Sequence, residues 1–319
     1  MNFLNIIKGK PILLIISVII FYVFILLLSD IEKISQQFNK IYYLYYLVIF
    51  PLVMLAIVMG AYRYHIMLKK LDINLSFKDG LVIFYAGLSM LITPGGAGAL
   101  IKSHIIKQKI GKSFSSTTPI VIYEKWLEFL STVIMVGILL FWVNFLEAKV
   151  VFVVGLIFSS FTFIIFKNSI GLQFLNKLIL KTKIFQKLSV DNNEFQKATG
   201  KLLAPITFTK LFSISLLNRI ILLVIVFLIF KSCGLSFDLF LTGQLYFTSI
   251  IIGTLSFIPG GFVVTEAGLL GLILKNGADI SIASVLVIVI RLVTTWFPTI
   301  LGFVAIKILS HKNLRTNEV

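Results

Sequence analysis

Long apolar runs, separated by short stretches that carry most of the charge, recur along the whole chain. A helix that crosses a membrane needs about 20 mostly apolar residues. The segments that meet this requirement are residues 11–29, 42–62, 119–143, 150–166, 211–230 and 281–306. Backbone groups in the bilayer core must bond within the protein, which favours helices over open strands. The pattern therefore predicts an all-α integral membrane protein with about six full transmembrane helices.

Two further apolar stretches are interrupted by proline and glycine. Residues 81–101 are broken between Pro94 and Gly98, and residues 239–274 are broken between Pro259 and Gly261. Proline removes a backbone donor and clashes with the preceding helical turn, while glycine frees the backbone. Each stretch is therefore predicted to form two half-helices that meet at a kink or a tip.

The basic residues indicate how these segments are oriented. If both broken stretches are re-entrant, 21 of the 29 Lys and Arg residues fall on one side, which holds both termini and residues 63–79, 102–116 and 167–210. Because positively charged loops stay in the cytoplasm, we predict two re-entrant hairpins and cytoplasmic termini in the inner membrane. Two full crossings at either break would leave every loop on the same side of the membrane, so the charge distribution leaves that alternative open.

The two interruptions also indicate an internal repeat. Pro94 and Pro259 are 165 residues apart, and the same offset superimposes the spans on either side of each break. Each half then contains an odd number of full spans, so the second half must be inverted. Inverted repeats with matching broken helices are typical of transporters, whose site lies between the repeats.

This arrangement defines the predicted domain organisation. The chain is expected to be a single membrane domain, residues 1–319, with pseudo-repeats at 11–143 and 150–308. A cytoplasmic loop, residues 167–210, is inserted in the second repeat. That loop is predicted to be basic and solvated, with an interfacial helix as the alternative.

Composition narrows the class further. Apolar residues make up 58% of the chain, the mean hydropathy is +1.03 and the net charge is +16. The basic residues are spread through short loops, so membrane orientation explains them better than nucleic-acid binding. The single cysteine, Cys233, excludes an intramolecular disulfide, and the three histidines argue against a zinc site. No metal or cofactor is therefore predicted.

Charged side chains within the predicted membrane segments mark the candidate site. They are Glu124, Lys125, Glu128, Arg219, Glu266 and Arg291. Each costs about 2.5–3.5 kcal/mol at a helix centre, so they should face one another or a wet cavity. Arg219 is expected to be structural and paired with a neighbouring acid, and Glu128 is either structural or functional. Arg291 and Glu266 are expected to be functional, with a structural ion pair between helices as the alternative.

The half-helix ends indicate the kind of ligand. The helix that follows each break presents its N-terminus, with free N–H groups and positive partial charge, to the membrane interior. Lys102 and Arg291 add positive charge there, so we expect a site for phosphate or another anion. The predicted substrate-binding residues are Pro94, Gly95, Gly96, Gly98, Lys102, Glu124, Lys125, Glu128, Pro259, Gly260, Gly261, Glu266 and Arg291.

Four motifs give the chain a family resemblance. They read P-G-G-A-G-A-L-I-K from Pro94, E-K-W-L-E from Glu124, P-G-G-F-V-V-T-E from Pro259, and R-L-V-T-T-W from Arg291. Over roughly residues 40–308 the chain resembles the lysylphosphatidylglycerol synthase transmembrane-domain family, also described as flippase-like membrane proteins. It departs from the family pattern where Ala99 replaces Glu, Lys102 replaces Arg and Val263 replaces Gly.

The resemblance implies lipid translocation. In the larger synthases the membrane module is fused to a soluble domain that transfers lysine, whereas this sequence ends at Val319, just after its last span. We therefore expect a membrane protein that binds an anionic phospholipid or a lipid-linked sugar and moves it. Two alternatives remain open: an integral membrane enzyme acting on a lipid, or a non-catalytic partner of an envelope glycosyltransferase. Homo-oligomerisation or association with an envelope-biosynthesis enzyme is compatible with each.

Overall fold

A computed structural model describes residues 31–91, 99–168 and 191–316. Within these ranges every regular element is helical, which confirms the all-α prediction. The predicted first span, residues 11–29, and the predicted site residues Pro94, Gly95, Gly96 and Gly98 lie outside the described residues.

The helices of the described residues are numbered here in chain order. They are α1 Ile31–Asn39, α2 Tyr46–Lys70, α3 Phe77–Leu88, α4 Ile101–Ile110, α5 Phe114–Leu139, α6 Leu146–Lys167, α7 Asn192–Leu202, α8 Pro205–Ser232, α9 Leu239–Leu255, α10 Val264–Lys275, α11 Ile280–Arg291 and α12 Phe297–Thr316. A π-helical turn, Leu292–Trp296, joins α11 to α12. A short 3-10 turn precedes α2, and another, Pro259–Gly261, precedes α10.

Four helical stretches in the described part of the chain are long and apolar enough to cross a membrane. They are Tyr43–Lys70, Leu146–Lys167, Pro205–Ser232 and Ile280–Leu309. These correspond to four of the predicted spans and establish a multi-pass membrane protein. A fifth predicted span, residues 119–143, coincides with α5, a 26-residue helix that carries charged side chains inside the bundle.

Short helices border both interruptions. In the second, α9 ends at Leu255 and α10 begins at Val264. Between them Gly260 and Gly261 adopt φ values of 61° and 64°, a left-handed conformation that glycine tolerates at little cost. The predicted division into two half-helices is therefore confirmed at this break. In the first stretch, α3 ends at Leu88, whereas α4 begins only at Ile101 and continues to Ile110. Helix α4 therefore lies in residues that were predicted as a cytoplasmic loop, because it buries Ile101 and Ile106 inside the bundle.

The order of elements repeats, and the packing repeats with it. The 165-residue offset aligns two series of helices. It places α2 on α8, α3 on α9, α4 on α10, and α5 on the continuous α11–α12 helix. Helix α2 packs against its own counterpart α8. Helix α3 packs against α12, and its counterpart α9 packs against α5. This exchange of partners is what a two-fold relation between the halves would produce.

The predicted loop 167–210 is partly helical. Helix α7 packs against α5 and buries Phe195 and Leu202, while Asp191 caps its first turn by accepting from two backbone N–H groups. The following helix, α8, already begins at Pro205. This end of the loop therefore differs from the solvated loop that was predicted, because its apolar residues recur at helical spacing and find a partner in α5.

Candidate functional site

Two ion pairs connect the helix after each break with the next helix in the chain. In the first half, Lys102 Nζ on α4 lies 2.5 Å from Glu124 Oε2 on α5. In the second half, Arg291 Nε on α11 lies 2.6 Å from Glu266 Oε1 on α10. All four residues are buried, and at the 165-residue offset the members of the two pairs fall within two residues of one another, with their charges exchanged. These four residues were among the site residues predicted from the sequence, and the structure brings them together in pairs.

The second pair fastens the glycine turn to α11. Besides its bond to Glu266, Arg291 donates from one terminal nitrogen to the Gly260 carbonyl at 2.9 Å and from the other to Thr295 Oγ1 at 3.2 Å. Its guanidinium carbon also lies 5.0 Å from the centre of the Phe262 ring. All three guanidinium nitrogens of Arg291 therefore have acceptors within the protein.

The same turn is packed too closely to admit larger residues. A Cβ on Gly261 would lie 2.5 Å from Thr265 Oγ1, and one on Gly260 would lie 2.7 Å from the Phe262 ring. Val263, which stands where the family pattern has glycine, adopts a φ of 70°. A β-branched residue in that region is strained, because its Cβ crowds the backbone. The turn is therefore rigid and stores local strain.

Lys102 occupies an aromatic cage beside its carboxylate partner. Its Nζ lies 4.8 Å from the centre of the Tyr64 ring and 5.3 Å from that of Phe84. A Cβ on Gly87 would lie 2.8 Å from the Lys102 side chain, so only glycine leaves room for it. Since Lys102 lies in the first turn of α4, where the backbone is already positive, Glu124 and the two rings offset an otherwise unfavourable position.

Arg63 joins this cluster and was missed by the sequence analysis. One terminal nitrogen of its guanidinium lies 2.7 Å from Glu128 Oε1 and 3.9 Å from Glu124 Oε1, and the other donates to Ser215 at 2.7 Å. The predicted span ended at residue 62, which placed Arg63 in a cytoplasmic loop, but α2 continues to Lys70. The mainly apolar residues 64–68 after Arg63 were the signal that could have extended the span.

Lys125 and Arg219 complete the cluster. Lys125 Nζ pairs with Glu128 Oε2 at 2.9 Å, within one turn of α5. Arg219 on α8 donates to the Glu128 carbonyl oxygen at 3.2 Å and to Ser131 Oγ at 3.3 Å. The acid that was expected to pair with Arg219 is not found within 4.0 Å of it among the described residues, and its partners are neutral groups.

A cavity of about 180 Å³ adjoins this cluster and lies between the two halves. Helices α2, α3 and α5 form one side, and α8, the π-helical turn and the start of α12 form the other. Its polar wall consists of Arg63, Glu128, Ser215, Asn218, Arg219 and Thr294. Asn218 also donates to the Ala56 carbonyl at 2.7 Å, which ties α8 to α2 beside the cavity. Polar groups from both halves therefore converge on one partly open cavity.

The predicted site residues thus form two separate groups. Lys102, Glu124, Lys125 and Glu128 belong to the cluster beside the cavity, and of these Glu128 lines it. Glu266, Arg291 and the Pro259–Gly261 turn form the second group. The second group reaches the cavity through its neighbour Thr294, which lies three residues after Arg291 and lines the cavity wall.

Comparison with known proteins gives two matches. The model of the family described as the lysylphosphatidylglycerol synthase TM region matches residues 14–302. The chain is also similar to the UPF0104 membrane protein PH1989 of Pyrococcus horikoshii, with 25% identity over 286 residues, covering 82% of this chain and 85% of that protein. The family match spans both broken stretches and the charged cluster.

Proposed function

This chain belongs to the lysylphosphatidylglycerol synthase transmembrane-region family, and we propose that it binds an anionic lipid headgroup between its halves and moves the lipid across the cytoplasmic membrane. The observation that carries the proposal is the polar cavity between α2 and α8, bordered by charged side chains in helices that are otherwise apolar. Ionisable residues inside a membrane are costly, and those that persist usually mark a substrate pathway.

The packing supports an inverted repeat around this cavity. Helices α2 and α8 contact each other as counterparts, and the exchanged pairs α3–α12 and α9–α5 surround them. Transporters with inverted repeats bind their substrates where the repeats meet, and they move by rocking one repeat against the other. We therefore keep the predicted re-entrant breaks and cytoplasmic termini as parts of the proposal.

The size of the cavity limits what it encloses. Pockets for drug-sized ligands measure about 300–1,000 Å³, whereas this cavity measures about 180 Å³. It has room for the charged part of a headgroup but not for acyl or prenyl chains. Those chains would lie in the bilayer along the exposed apolar faces of the helices, where Leu217 and Leu292 are half exposed.

A reconstitution experiment tests the proposal. The purified protein is placed in liposomes that contain tail-labelled anionic or zwitterionic lipids, and chemical quenching of the outer leaflet measures transfer between leaflets, with and without a proton gradient. We expect protein-dependent transfer of the anionic lipid. The matched control is Lys201→Gln, which removes one positive charge from an exposed pair with Asp72; neither residue lines the cavity or belongs to the buried cluster.

Two results would contradict the proposal. Absence of both lipid transfer and lipid binding would exclude a lipid carrier. Conversion of the added lipid into a new compound, detected by mass spectrometry, would instead favour the alternative of a membrane enzyme.

A further inference from the structure

The charges beside the cavity do not balance. The cations of the cluster are Arg63, Lys102, Lys125 and Arg219, and its carboxylates are Glu124 and Glu128. Among the described residues, no further carboxylate lies within 4.0 Å of these cations. The segment 92–98, which precedes Lys102 in the chain, contains no acidic residue. Four positive charges therefore face two negative ones.

The surplus is located at the cavity wall. Lys102 is matched by Glu124, whereas Arg63, Lys125 and Arg219 all depend on Glu128 as their nearest carboxylate. Within the described part of the chain, Arg219 donates hydrogen bonds to the backbone carbonyl of that residue and to a serine hydroxyl, and to no carboxylate oxygen. Arg219 and Arg63 both line the cavity, and the buried Nε of Arg63 has no hydrogen-bond partner among the described residues.

An anion in the cavity would satisfy these groups. A charge removed from water is costly unless it is paired, and guanidinium groups bind phosphate through parallel charge-assisted hydrogen bonds. A phosphodiester headgroup carries one negative charge and would leave one cation unmatched. A phosphomonoester, with about −1.5 to −2 charges at pH 7, or a diphosphate would balance both.

We infer that Arg63 and Arg219 form the phosphate subsite of the cavity, and that its ligand is a lipid with a dianionic headgroup, a phosphomonoester or a diphosphate, rather than a simple phosphodiester lipid. The inference rests on the proposed function, because it specifies which anionic lipid occupies the cavity. It also assigns to Arg219 a binding role in place of the structural one expected from the sequence.

The ligand class is tested by competition on the purified wild-type protein. The probes are phosphatidic acid and a polyprenyl monophosphate as dianions, phosphatidylglycerol as a phosphodiester, and phosphatidylcholine as a neutral reference, each in mixed micelles. We expect the dianions to bind at least about tenfold more tightly than phosphatidylglycerol, which corresponds to about 1.4 kcal/mol. Equal or tighter binding of phosphatidylglycerol overturns the inference but leaves the proposed function intact. Failure of every lipid to bind overturns both.

Soluble anions identify the source of the phosphate. Inorganic phosphate and pyrophosphate are titrated under the same conditions. We expect them to compete only at much higher concentration than the lipids, because they lack the apolar chain. Pyrophosphate binding as tightly as the lipids would assign the site to a free anion and would overturn the lipid part of the inference.

Variants test the subsite itself. Arg219→Gln should lose at least about tenfold in affinity for the dianionic lipid, since a hydrogen bond to a charged group is removed, and should lose the preference over phosphatidylglycerol. Its melting temperature without ligand should equal or exceed that of the wild type, because an unmatched charge has been removed. Arg219→Lys should retain part of the affinity, and Lys201→Gln all of it. Wild-type affinity and preference in Arg219→Gln would overturn the assignment. If Arg219→Gln does not fold, Arg63→Lys is measured in its place, and wild-type affinity and preference in that variant would also overturn the assignment.

Discussion

Removing the guanidinium of Arg291 tests how the second break is held. In Arg291→Gln the bonds to Glu266, the Gly260 carbonyl and Thr295 are lost or weakened together. Glu266 is fully buried and its second carboxylate oxygen already lacks a partner among the described residues. Breaking a buried pair from one side costs about 3–5 kcal/mol, because an uncompensated charge remains. We expect a loss of stability of this size.

A double-mutant cycle measures the pairing itself. Thermal unfolding in detergent is followed for Arg291→Gln, Glu266→Gln and the double variant. The double variant should recover up to about 3 kcal/mol relative to the sum of the single losses, since neither charge is left alone. The control is Lys275→Gln on α10, which breaks an exposed pair with Glu147 and should cost less than about 1 kcal/mol.

Binding of anionic lipid by the same proteins separates structure from function. If the double variant regains stability and all the variants bind lipid as the wild type does, the pair is structural only. If the refolded double variant has lost lipid binding, Arg291 or Glu266 also serves the ligand. An Arg291→Gln protein within about 0.5 kcal/mol of wild-type stability, the range of ordinary surface substitutions, would refute the reasoning from burial.

Further expectations follow from the glycine turn and from the topology. Val263→Gly should raise the free energy of unfolding by about 1 kcal/mol, because relief of the positive φ outweighs the added backbone entropy; lower stability in the same unfolding assay would show that Val263 is not strained. Gly260→Leu should abolish lipid transport, since its side chain meets Phe262 at a positive φ; full transport by a folded variant would contradict this. In a Cys233→Ser background, cysteines at Lys107 and Lys187 should be labelled from the cytoplasmic side only, and external labelling would exclude the re-entrant topology. Partial burial raises the pKa of the Cys233 thiol from 9.0 to about 11, so the rate of its reaction with maleimide should keep rising with pH beyond pH 9, because the thiolate is the nucleophile; a rate that levels off near pH 9, as for an ordinary thiol, would contradict the raised pKa.

The fold was predictable where the signal is local. Apolar run length located the four clear spans, and Pro259–Gly261 located the turn between α9 and α10, because proline and glycine act on their own backbone. Helix ends were less predictable. The helix α2 runs past Arg63 to Lys70 because tertiary packing buries that arginine, which a hydropathy window counts only as a charge.

The charged residues of the site were predictable from the sequence, but the partners with which they pair were not. The sequence pointed to Lys102, Glu124, Glu266 and Arg291, since charges in apolar helices are conspicuous in any linear scan. Which cation meets which acid depends on how helices from distant parts of the chain pack together. For that reason Arg219, expected to pair with an acid, instead meets a carbonyl and a hydroxyl.

The unequal number of cations and carboxylates beside the cavity has an electrical consequence. Moving one elementary charge through a potential of 100 mV changes the free energy by about 2.3 kcal/mol. In a transport cycle that carries the cavity across the field, the empty protein with its two surplus charges would respond to voltage by up to about 4.6 kcal/mol. The protein loaded with a dianion would cross almost without electrical work. The membrane potential alone could then drive the return of the empty carrier, and no coupling ion would be needed to give transport a direction.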